Sequence, residues 1–223
     1  MIPLRDNISH RSTPIVTVSL IIVNILVFLY QLSLGSGLEK FIHSYAFVPV
    51  SLSLPLGLFP KVLPLFTSMF LHGGLMHLLG NMLYLWIFAD NVEDRLGHFR
   101  FLVFYFVCGI SASLIHALFN LSSKIPVVGA SGAIAGVLGA YFLLFPRARV
   151  LTIIPIFIFW QVIEIPAFFF LGFWFLYQFF LGVVSIGRVG AGIAFWAHIG
   201  GFAAGIVFLK LFLKKRVYYY KRR

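Results

Sequence analysis

His72, His77 and Asn81, then Ser131, then His198 stand out in this chain because each lies in or beside a run of Leu, Ile, Val, Phe, Ala and Gly. Polar side chains are costly in such surroundings and tend to mark a site. Ser131 opens an apolar run, with Gly129 and Ala130 before it and Gly132 and Ala133 after. Flanking glycines allow a close backbone approach, and the free amides at a helix N-terminus can stabilise an anion. Both features suit a nucleophile whose attack creates an oxyanion. A serine hydroxyl needs a base to attack well, and His198 on a neighbouring helix is the candidate. His77 and Asn81, four residues apart, share one helix face and could donate hydrogen bonds to that oxyanion. Taken singly, Ser131 could be a helix cap and the other two could be interhelical hydrogen-bond partners. The Gly-x-Ser-Gly string lacks the second glycine of a hydrolase elbow and follows a loop, which excludes an α/β-hydrolase.

The elements that must position these groups follow from composition. Of 223 residues, 61% are hydrophobic, 18% aromatic and only 10% charged. Soluble domains carry about 25% charged residues, so this chain has too little polar surface for water. Disorder, collagen and coiled coil are excluded as well. The pattern predicts an all-α polytopic membrane protein, a single domain over 1–223 with a six-helix core over 14–213. Expected spans run from Pro14 to about Leu34, Leu75 to Phe88, Phe99 to Phe119, Ser131 to Phe145, Trp160 to Val184 and Ile193 to Leu213. A short irregular or interfacial piece is expected before the fifth, because Pro155 and Pro166 interrupt the run from Val150. The 35–74 loop holds Pro49, Pro55, Pro60 and Pro64, so it cannot be one helix, and its Phe41, Phe47, Leu52, Leu54 and Phe59 suit the membrane interface.

The net charge of +11 could suggest nucleic acid, but the charges fall between and beyond the apolar runs. They are better explained by topology. Short cytoplasmic loops collect Lys and Arg, and six spans with the N-terminal 1–13 segment inside put Arg5, Arg11, Arg95, Arg100, Arg147, Arg149, Lys210 and the basic 214–223 tail on one side. The other side receives only Lys40, Lys61, Lys124 and Arg188. Both termini are therefore expected in the cytoplasm, with Tyr218, Tyr219 and Tyr220 in a juxtamembrane anchor. Alternating spans then bring His72, His77, Asn81, Ser131 and His198 towards the same outer leaflet.

On the strings His72-Gly-Gly-Leu-Met-His77-Leu-Leu-Gly-Asn81, Gly129-Ala-Ser131-Gly132 and Ala197-His198-Ile-Gly-Gly201-Phe-Ala-Ala-Gly205, in this order and on these helices, the chain resembles the rhomboid intramembrane serine proteases. The resemblance runs from Pro14 to Leu213. It implies a Ser–His dyad without an acidic third member, Ser131 being nucleophile and His198 general base, then acid. It also implies an oxyanion hole of His77, Asn81 and the Ser131 amide, a supporting loop role for His72, and the fifth helix as a lateral gate. Independently of it, Gly201 and Gly205 read as a small-residue seam that lets the fourth and sixth helices close until Ser131 and His198 touch, with Gly136 and Gly139 opposite. Some members of the family stack an aromatic residue on the histidine one turn after the serine. This chain has Ala135 there, which leaves the orientation of His198 to Trp196 or a neighbouring helix.

The expected reaction is hydrolysis of a peptide bond in or beside a substrate's transmembrane helix. It needs no cofactor and no metal, and its substrate is a membrane protein with a helix-destabilised segment in a lipid bilayer, in a bacterial cell membrane. Two other readings are an inactive helix-binding relative and a metal or haem protein using His72, His77, His116 and His198. The second has poor ligand spacing and no acidic or cysteine ligands. Glu164 and Gln161 are expected at the inner end of the fifth helix, Arg95 with Glu93 and Asp94 in a loop-pinning cluster, and Cys108 as an inert small residue.

Overall fold

The computed structural model describes residues 1–9, 11–156, 159–185 and 194–213; the expected basic anchor at 214–223 lies outside them, as do Arg188 and Ile193. The chain is mostly helical. Its long helices are α1 (Ile15–Ser33), α4 (Leu75–Leu96), α5 (His98–Leu118), α6 (Ser131–Leu144), α7 (Ala167–Val184) and α8 (Phe195–Phe212), and two short ones, α2 (Leu38–Tyr45) and α3 (Leu58–Thr67), fold within the 35–74 segment. Among the described residues, α1, α5, α7 and α8 are each long and apolar enough to cross a membrane. A fifth candidate combines the 58–70 segment with α4 across an 82° bend, and α6 is apolar but shorter.

The expected boundaries of α1, α5 and α6 agree with the structure to within a residue or two. Helix α4 continues two turns beyond Phe88, because Asn91, Glu93 and Asp94 have hydrogen-bonding partners there. Buried Glu93 accepts hydrogen bonds from the amides of Val16 (2.9 Å) and Thr17 (2.8 Å), the Thr17 hydroxyl (2.6 Å) and His98 Nδ1 (2.6 Å). A carboxylate is well placed on the orphan amides of a helix N-terminus, so the end of α4 caps the start of α1. Asp94 accepts from the amide and hydroxyl of Ser12 (3.1 and 2.6 Å), and Asp6 accepts from Asn91 Nδ2 (2.8 Å) and from Tyr141. The Arg95 guanidinium lies over the Phe145 ring, 5.8 Å from its centroid.

Two expectations are corrected here. The fold is not purely helical: β1 (Ile2–Asp6), β2 (Arg149–Ile156) and β3 (Phe159–Pro166) form an antiparallel sheet in the order β1-β2-β3. The fifth long helix accordingly starts at Ala167 and not near Trp160. Val, Ile and Thr favour the strand, and Val150 and Thr152, two apart, turn inward as a pleat requires. Pro166 then ends the hairpin as the N-cap of α7, whose first amides bond to Ala148 O (2.7 Å) and Pro146 O (3.1 Å). Glu164 and Gln161 therefore sit on β3, with Glu164 paired to Arg149 across the hairpin at 3.6 Å. In the 35–74 segment, Phe47 is fully buried with Leu65 and Ala117, and its backbone bridges to Val127. Phe59 and Leu54 remain exposed.

Helices α4, α5, α6 and α8 enclose one apolar core, with Phe88, Phe101, Phe104 and Tyr141 fully buried. Their closest approach depends on missing side chains. A methyl group at Gly201 would overlap Gly132 O, one at Gly205 would overlap Gly136 O, and one at Gly139 would overlap Phe202 O. Helix α6 thus meets α8 backbone to backbone over three successive turns. Cys108 packs into the same region against Gly136.

Candidate active site

Ser131 is the first residue of α6 and His198 lies in the first turn of α8, one turn before Gly201 on the seam. Since Gly132 and Gly201 touch, Ser131 and His198 are brought together at the same end of the two helices. Ser131 Oγ lies 2.9 Å from His198 Nε2. The serine is not a cap: Ala130 occupies that position and no side chain caps α6. The helix's own bonding starts with Ile134 N donating to Ala130 O at 2.9 Å, so the amides of Ser131, Gly132 and Ala133 stand outside that ladder.

Gly129 takes φ +121°, a region that side chains strain to adopt. A methyl group there would also come within 2.7 Å of His77 Cε1 and 3.5 Å of Asn81 Nδ2. Both α4 side chains therefore reach the approach to Ser131, as their four-residue spacing predicts. Asn81 Nδ2 donates to His72 Nε2 at 2.9 Å. His72 in turn is held by its backbone, which exchanges hydrogen bonds with the amide of Gln31 on α1 (3.0 and 3.1 Å). The His72 and His77 rings meet edge to face, 5.1 Å between centroids. Gly129 and Gly132 thus flank Ser131, His72 bonds to Asn81, and Gly201 and Gly205 face Gly132 and Gly136 from α8.

A cavity of about 1400 Å³ opens here, lined by Ser131, His198, His77, Asn81, His116 and Trp196. Trp196 stacks on Phe119, with 3.8 Å between ring centroids. His198 is instead met by α7. Gln178 Oε1 lies 2.9 Å from His198 Nδ1, and the Trp174 ring lies 5.9 Å from the imidazole at 37°. An amide oxygen can only accept, so Nδ1 carries the hydrogen and Nε2 accepts from the serine hydroxyl. Gln178 was not singled out in the sequence, although the signal was there: it is the one amide in the Phe-rich 167–184 run. Both His198 nitrogens and Nε2 of His72 are engaged with protein partners, whereas Nδ1 of His72 and Nδ1 of His116 are buried without one.

The family described as Rhomboid domain matches residues 60–215. The chain belongs to the rhomboid family. Among its relatives, the mitochondrial Rhomboid protein 1 of Saccharomyces cerevisiae is 31% identical over 150 residues, covering 63% of this chain and 39% of the relative. Rhomboid protease GluP of Bacillus subtilis is 45% identical over 76 residues, 34% of this chain and 14% of the relative. RHOMBOID-like protein 1 of Arabidopsis thaliana is 41% identical over 80 residues, 36% and 20% of the two chains. The matches therefore span well under half of these relatives' lengths. Coming from a yeast mitochondrial protein, a bacterium and a plant, they do not favour a bacterial membrane over an organellar one. They agree with the apolar helices in marking a rhomboid membrane protein.

Proposed function

We propose that this rhomboid is an intramembrane serine endopeptidase that cuts membrane-protein substrates near the outer leaflet. The observation that carries the reading is the 2.9 Å contact of Ser131 Oγ with His198 Nε2, opening on a large cavity at the head of a short apolar helix. Helix α6 has 14 residues, about 21 Å at 1.5 Å per residue, whereas a bilayer's hydrocarbon core is about 30 Å thick. One of its ends stops short of the surface. If that end carries Ser131, the serine is recessed and the cavity brings it water. Six crossings by α1, α4, α5, α6, α7 and α8 put both termini in the cytoplasm. In support, Arg5, Arg95, Arg100, Arg147 and Arg149 all lie at the sheet end, opposite Ser131.

In the proposed reaction, Ser131 Oγ attacks the scissile carbonyl while its proton passes to His198 Nε2. The carbonyl oxygen becomes an oxyanion, which His77, Asn81 and the Ser131 amide stabilise by donation. His198 then gives its proton to the leaving amine, and the acyl-serine is hydrolysed by water activated by the same imidazole. His72 acts through Asn81, holding its amide in place. A substrate helix must unwind to offer its carbonyl, so helix-destabilising residues near the cut site are expected.

Labelling with a fluorophosphonate in detergent tests the assignment. Wild-type protein is expected to label, and Ser131→Ala and His198→Ala are not. Equal labelling of Ser131→Ala overturns the assignment, and an unlabelled wild type favours an inactive helix-binding member.

A further inference from the structure

We propose that Gln178 is a positioning residue for catalysis, holding His198 in the one tautomer that can take the serine's proton. The inference rests on the protease reading above and names a third partner for a pair that has no acidic one. Its placement follows from helix register. Trp174, Gln178 and Gly182, spaced four apart, form the face of α7 that meets α8. Trp174 lies against His198 and Phe202, Gln178 bonds to His198, and a methyl group at Gly182 would lie 3.1 Å from Ile199 and 3.5 Å from Phe195. A methionine of equal length could fill the place of Gln178 without accepting a hydrogen bond.

The choice of an amide has a chemical consequence. An Nδ1–H to Oε1 bond fixes the ring's rotation and leaves Nε2 as the acceptor. A carboxylate would do this too, but would bring a charge that a half-buried site in an apolar bundle must desolvate. The amide orients the imidazole and adds only a dipole to the stabilisation of the imidazolium. The ionisable groups that share the cavity with His198 are His77 on α4, His116 on α5 and Lys124 in the loop before α6. Gln178 is therefore the neighbour that can set the tautomer without competing for the proton.

The test measures inactivation of the full-length protein by a fluorophosphonate across pH, separating the maximal rate kinact from the binding constant KI. Wild type, Ser131→Ala, Gln178→Met and Gln178→Glu are compared. Gln178→Met, similar in shape but unable to accept, is expected to lower kinact about tenfold to a hundredfold with KI within about twofold. Gln178→Glu restores the acceptor and is expected to recover most of kinact. Its added negative charge favours the imidazolium, so less neutral base is present at a given pH and its acid limb moves to higher pH. A wild-type kinact in Gln178→Met overturns the proposal, and so does Gln178→Glu behaving like Gln178→Met. With wild type labelled and Ser131→Ala silent, either result rejects Gln178 alone; a wild type without Ser131-dependent labelling rejects the protease reading and this role together.

Discussion

Helix α8 presents two unlike neighbours to His198. On one side, α6 approaches so closely that backbone carbonyls occupy the space of absent side chains at Gly201 and Gly205. On the other, α7 is joined by Trp174, Phe175 and Gln178, and many of its rings face away from the protein: Phe169, Phe173 and Phe180 are all exposed. Of each helix's most apolar stretch, 22% of residues are buried in α7 and 44% in α5. The difference divides labour. A contact set by backbone packing cannot loosen without breaking the core, so the backbones that carry Ser131 and His198 are held at a fixed separation. A contact made across a sparsely packed face can open, so the Gln178–His198 bond is the adjustable one.

The largest effect should come from the tight side. Gly201→Ala pushes a methyl group onto Gly132 O, and a carbonyl at the head of α6 cannot move without Ser131. Overpacking costs about 1–3 kcal/mol or more. Fluorophosphonate labelling is expected to fall by more than about a hundredfold, with a lower midpoint of thermal denaturation in detergent. Retention of both would show that α6 and α8 can separate, and the comparison with α7 would collapse. Next in size is Asn81→Ala. If this amide donates to the oxyanion, its loss should reduce kcat about a hundredfold with KM little changed, measured on a transmembrane peptide substrate. An unchanged kcat would remove Asn81 from the mechanism and leave it as a partner of His72.

The tight side was readable in the sequence and the loose side was not. Small residues repeated at helical spacing in the fourth and sixth spans have few uses other than close packing, so Gly201, Gly205, Gly136 and Gly139 pointed to the seam. His77 and Asn81 shared a face by the same arithmetic. In α7, by contrast, every turn offers a Phe, and rings that face lipid look the same as rings that face protein. Gln178 stood out only as the one amide of the run, and its partner, twenty residues away on another helix, was not legible. The hairpin was hidden for a related reason: the 150–165 run is apolar on both strand faces, and what holds it is pairing of Ile2 with Ile153 and Asp6 with Val150, across most of the chain. Periodicity reports local faces and cannot report which distant strand completes a sheet.

The smallest effect should come from Phe180→Ala, and it bears most directly on the comparison. Phe180 is 63% exposed on α7, two residues beyond Gln178 and turned away from α8. Removing a ring costs about 3–5 kcal/mol where it leaves a cavity in a packed core. Here lipid or detergent can fill the space, so labelling and the denaturation midpoint are both expected to stay within about twofold and about 2 °C of wild type. A fall in labelling with an unchanged midpoint would mean that this outer face of α7 communicates with Gln178, making the loose helix a control element. A fall in the midpoint as large as that of Gly201→Ala would mean that α7 is packed as firmly as α6, and that the Gln178–His198 bond is as rigid as the contact it supports.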